Sequence, residues 1–142
     1  MIFVADTNVL VRLFAKVDNP QQVAAAKHLV AHATKLVVPT VVFCELVWVL
    51  LSEKNAADVA KDIRVLLQLQ NLVASEDEVL AGLRLMDAGG DFADGVIQYT
   101  GSKLAGGRST FASFDRGAVK RLSESGVASV IPEAPAAKAQ TS

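Results

Sequence analysis

Short apolar runs that alternate with helix-forming stretches constrain this chain most. The runs are residues 2–5, 36–39, 72–74, 109–113 and 127–131. The stretches between them carry their own start and stop signals. Pro20 opens the Ala-rich stretch 21–33, after the Asp18-Asn19-Pro20 breaker that ends a shorter helix at 9–14. Thr40 is placed to cap a helix over 41–52, Asn55 one to residue 69, Ser75 one to residue 88, and Asp91 one to residue 104. Residues 116–123 read as a last short helix, and Gly89-Gly90, Gly106-Gly107 and Gly126 read as stops. Strand and helix alternating in this way predict an α/β domain built on a mainly parallel central sheet. The length, 142 residues, suits one domain. The domain is expected over 1–131, and 132–142, rich in Pro, Ala and polar residues, reads as a flexible tail.

Four acidic residues fall at strand ends or in first helical turns. Asp6 follows the first strand in VADTN, and Asp115 follows the fourth in TFASFDRG. Glu45 interrupts the nearly all-apolar FCELVWVLL, and Asp94 lies in the first turn of the helix opened by DFADGVI. An ionised carboxylate in an apolar setting costs several kcal/mol, or shifts its pKa, unless something compensates it. In a parallel sheet the ligand site lies outside the carboxyl ends of the strands, the edge that these residues can share. Four carboxylates from distant segments are most simply reconciled around a hard divalent cation, the reagent of phosphodiester hydrolysis.

Each acid also has a plainer reading. Asp6 suits a turn, and Asn8 either makes an Asx turn or holds Asp6 by a hydrogen bond. Glu45 has no Lys or Arg at helical spacing, which leaves a distant partner such as Arg12 as the alternative to a metal. Asp91 and Asp94 fit the N-cap and N3 positions of one helix; we read Asp91 as the cap and Asp94 as the ligand, in apolar register with Ile97. Asp115 would cap the helix after it. Ser113, two residues earlier on the same strand face, would set its hydroxyl beside that carboxylate.

Other chemistries find less support. His28 and His32 stand at i, i+4 with no third soft ligand, and no Gly-rich loop with a following Lys-Ser or Lys-Thr is present to cradle a phosphate. Cys44 sits among apolar residues as a structural thiol, and a single cysteine suits a reducing cytoplasm. The N-terminus lacks the pattern of a signal peptide, and no apolar run is long enough to span a membrane. The net charge of −1 argues against a non-specific nucleic-acid coat, yet Lys103, Arg108, Arg116, Lys120 and Arg121 crowd one segment around Asp115. Arg108, Arg116 and Lys120 are the candidate contacts to a polyanionic strand.

Taken in order, VADTNVLVR, DNP, VP, CELVWVL, GDFADG and SFDR resemble the ribonucleases of the PIN-domain family, of the VapC toxin type. The resemblance runs from Met1 to about Pro132, with Ser113 where Thr or Asn is frequent and Gly95 where Ala is common. It implies an α/β/α sandwich whose acids Asp6, Glu45, Asp94 and Asp115 bind Mg2+ or Mn2+. It also implies an endoribonuclease acting on structured RNA such as tRNA or rRNA through a metal-activated water. Such proteins usually form homodimers and pair with a VapB-type antitoxin. The alternative is a PIN-like module that binds RNA or protein without cutting.

Overall fold

The computed structural model describes residues 1–136, so the end of the tail, 137–142, lies outside the described residues. The described part of the tail, 132–136, has no helix or strand. The chain runs β1 (Ile2–Val4), α1 (Thr7–Phe14), α2 (Pro20–His32), β2 (Lys35–Val37), α3 (Thr40–Leu50) and α4 (Ala56–Leu67). It continues β3 (Leu72–Val73), α5 (Glu76–Asp87), α6 (Phe92–Leu104), β4 (Phe111–Ala112), α7 (Arg116–Glu124) and β5 (Ser129–Val130). The alternation is that of a mixed α/β domain, and every strand pairing is parallel, as expected. The strands are shorter than the apolar runs, and they form two sheets, β1-β2-β3 and β4-β5.

The register Phe3↔Leu36↔Leu72 puts these three side chains on one face. Leu36 is buried there, with Phe3 and Leu72 packed against the core. The opposite face carries Ile2 and Val4, 61% and 71% exposed, and exposed Val73. The expectation of a buried first strand therefore holds for Ala5 and in part for Phe3, and not for Ile2 or Val4.

One core joins the helices to the covered sheet face. It holds Leu10 of α1, Val30 of α2, Phe43, Leu46 and Leu50 of α3, and Val59, Ile63 and Leu66 of α4. The nearly all-apolar α3 splits by face: Val42, Phe43, Leu46, Val47 and Leu50 are buried, while Val41, Glu45 and Trp48 form an outward stripe at helical spacing. Trp48 is 79% exposed. Helix caps follow local chemistry at three expected places, where Asn55 accepts from Asp58 N–H, Asp91 from Ala93 N–H and Asp115 from Ala118 N–H. Thr40 and Ser75 do not cap as expected. Pro39 holds the N-cap position of α3, and the Thr40 hydroxyl instead donates to Glu78 Oε1 at 2.6 Å. No helix among the described residues is long and apolar enough to cross a membrane.

Helices α5 and α6 approach each other closely at two glycines. A Cβ at Gly82 would lie 2.6 Å from the Phe92 ring, and one at Gly95 would lie 2.7 Å from the Ala81 carbonyl oxygen. Glycine at 95, where the resemblance leads one to expect alanine, thus has a steric reason. Gly95→Ala should destabilise the fold by about 1–3 kcal/mol in urea titration, although alanine is the better helix former by about 1 kcal/mol. A variant as stable as the parent would show that α5 and α6 have room between them.

Candidate active site

Asp6 directly follows β1 and occupies the N-cap position of α1 in an extended conformation. Its side chain makes no capping bond and is exposed, so both carboxylate oxygens are free for another partner. The next residue, Thr7, is the one buried polar side chain among the described residues, and its hydroxyl donates to Glu45 Oε2 at 2.8 Å. That bond ties the second turn of α3 to the start of α1. Glu45 itself is exposed on the outward stripe, so burial does not force a cation upon it, contrary to the expectation from its apolar neighbours. Arg12 is not its partner; the Arg12 guanidinium donates to Gln22 Oε1 and to the Asn8 carbonyl. Asn8 lies within α1, exposed, and makes no hydrogen bond to Asp6.

Asp91 and Asp94 begin α6. Asp91 Oδ1 accepts from Ala93 N–H at 2.7 Å and from Asp94 N–H at 3.4 Å, the capping role expected of it. Asp94 is half-buried, and Phe92 and Val96, rather than the exposed Ile97, form the buried side of this helix. Burial raises the Asp94 carboxyl above its ordinary pKa, and the nearby charges of Asp91 and then Asp115 push it the same way. Burial raises the Cys44 thiol, and the charges of Asp91 and Glu45 add to that. Asp91 therefore sits in the field that joins α6 to the Glu45 region of α3.

Asp115 caps α7. Its Oδ1 accepts from Ala118 N–H at 3.1 Å, and its own N–H donates to Ser113 Oγ at 3.0 Å. Ser113 thus holds the backbone of the turn, rather than the carboxylate as expected. One carboxylate oxygen serves the cap, and the other is not committed to it. Arg116 and Lys120 lie exposed on α7, Arg108 lies exposed before β4, and none of the three forms an ion pair among the described residues. His28 and His32 stack with ring centroids 4.1 Å apart, exposed on α2 and away from these acids in sequence.

The donor set suits a hard cation in kind: all-oxygen ligands, with like charges around Asp94 that a cation would relieve. In spacing the set is open. Among the described residues no three His, Cys, Asp or Glu side chains stand close enough together to hold one ion. The topology explains the spread, since Asp6 leaves one sheet and Asp115 the other, with no pairing between them. Thr7 went unnoticed in the sequence; the available signal was a hydroxyl beside Asp6 at a helix start.

The sequence model of the PIN-domain family matches residues 3–121, and the chain belongs to that family. No curated protein matches it.

A raised carboxyl pKa has a definite sign in stability. The folded protein keeps a proton that the unfolded chain has already released, so stability falls as pH rises through the interval between the two values. Asp94→Asn removes that loss. Without divalent ions the variant should melt above the parent at neutral pH, with the gap closing as pH drops to about 3. A variant that melts below the parent throughout would show that the Asp94 charge is stabilising.

Proposed function

From its membership of the PIN-domain family, we propose that this protein is a Mg2+- or Mn2+-dependent endoribonuclease. In this reading it is the toxin of a VapBC-type pair and cuts structured RNA such as tRNA or rRNA. The observation that carries the reading is the half-buried Asp94 carboxylate at the start of α6, its pKa raised by burial and then by the charges of Asp91 and Asp115, with no ion pair to a cation of the chain among the described residues.

Asp6, Asp94 and Asp115 would hold the ion, with Glu45 as a further ligand. Thr7 sets the direction of the Glu45 carboxylate, Asp91 fixes the first turn of α6, and Ser113 fixes the turn at Asp115. The cation, when bound, supplies Lewis acidity and acidifies water at the site. Arg108, Arg116 and Lys120 meet the RNA backbone as exposed cations whose charges are not spent within the protein.

Two surfaces suit the partners of such a toxin. A cleft of about 370 Å³ between α1 and α2, lined by Val9, Ala25, Ala26 and Leu29 with Arg12 at its side, begins two residues from Asp6 and would take an antitoxin peptide. The exposed stripe of α3 around Trp48 would form the homodimer contact. A second reading, a non-catalytic RNA- or protein-binding module, draws on the open spacing of the acids.

The deciding measurement is cleavage of total RNA with Mg2+ or Mn2+, against EDTA. Discrete cuts should leave a 5′-phosphate and a 3′-hydroxyl, and Asp94→Asn and Asp115→Asn should each slow them at least about 100-fold. No cutting by folded, antitoxin-free protein would favour the binding module, and 2′,3′-cyclic phosphate ends would exclude attack by water. For the dimer, light scattering should give a mass twice that of the chain. Trp48→Ala should lower it while changing unfolding free energy by less than about 0.5 kcal/mol, because the side chain is exposed. A monomeric parent at micromolar concentration would remove the dimer.

A further inference from the structure

Arg121 has no part in the reading above, yet it lies against the acidic turn. A Cβ added at Gly117 would lie 2.9 Å from Arg121 Nη1 and 3.3 Å from Asp115 Oδ1. The guanidinium and the carboxylate therefore face one small gap, which exists because residue 117 has no side chain. On another side, Arg121 Nε lies 3.6 Å from where a Cβ of Gly89 would be. Gly89, with φ +90°, follows α5 and stands two residues before Asp91. The guanidinium thus lies between the loop that leads to Asp91 and the turn that carries Asp115.

A guanidinium this near a carboxylate ordinarily closes a two-pronged bond onto it. Arg121 does not. Half-exposed, it makes no ion pair and no side-chain hydrogen bond among the described residues. Two arginines are spent within the protein, Arg64 on Asp87 and Arg12 on Gln22 and the Asn8 carbonyl; Arg121 differs from the other unpaired arginines in standing at the gap beside Asp115. A planar fork with its donors free, at the margin of an acidic site, matches the oxygens of a phosphate.

We propose that Arg121 binds a non-bridging oxygen of the RNA phosphate beside Asp115, in a position that Gly89 and Gly117 keep open. The inference rests on the nuclease reading and adds a substrate-binding residue to it. Gly117 gives it a sharp test. Its φ is not in the left-handed region, and it occupies the second position of α7, where alanine is the better helix former. Gly117→Ala would push the flexible guanidinium aside, while the capping Asp115 Oδ1 need give by only a few tenths of an ångström.

The experiment measures binding of fluorescently labelled bulk tRNA by anisotropy, in EDTA, over a series of NaCl concentrations. Arg121→Gln should weaken binding about tenfold and lower the slope of log affinity against log salt by about 1. Lys61→Gln, which removes the same charge from α4, should change the slope less. Gly117→Ala should weaken binding as Arg121→Gln does, with an equal or higher Tm. The two substitutions combined should do no more than either alone. If the parent cuts RNA with Mg2+ while Arg121→Gln keeps its affinity and slope, the inference fails and the nuclease stands. It fails too if Gly117→Ala weakens binding further in the Arg121→Gln background, or if Lys61→Gln has as large an effect. If the parent neither binds nor cuts RNA, the nuclease reading falls and takes the inference with it.

Discussion

The Phe92 ring occupies the space that a side chain at Gly82 would need, and the position of α6 follows from that contact. With Gly95 against the Ala81 carbonyl on the same interface, α6 can neither rotate nor slide without collision. Its first turn carries Asp91 and Asp94, so the place of two acids is set by the packing of two glycines. Asp94 is half-buried because this interface draws the start of α6 down onto the core, where Phe92 and Val96 are buried.

Several acids at this edge do structural work as well. Asp91 and Asp115 each cap a helix, and each accepts a backbone N–H that would otherwise lack a partner. Capping and ion binding are compatible for a carboxylate, which has two oxygens and more lone pairs than a cap uses. A cap also fixes the carboxylate relative to the backbone, which lowers the cost of holding it in one direction. Asp6 differs: it stands at a helix start without capping, held in place only through its backbone, while Thr7 beside it is turned toward Glu45.

The order of elements was legible because helix and strand use different hydrophobic periods, and because Asn55 and Asp91 act on their own neighbours. What escaped the sequence depends on distant partners. Thr40 looked like a cap, but its hydroxyl meets Glu78 on another helix. Glu45 looked buried because α3 is apolar on nearly every face, and only the packing of Leu46 and Leu50 decides which face turns outward. The positions of the acids at strand ends and helix starts were legible, whereas their spacing was not, since it depends on how the β4-β5 sheet sits relative to β1. Arg121 was visible only as one charge in a basic segment; the gap at Gly117 that gives it a place appears only in three dimensions.

Trp48 is the single tryptophan of the chain, and it shares the outward stripe of α3 with Glu45, three residues away. Its indole faces water, so its fluorescence should lie toward the red and be open to collisional quenchers. The chain therefore carries an optical probe one helical turn from its acidic edge. Whatever covers that stripe must dry the indole, and the colour of its emission registers the event without any label.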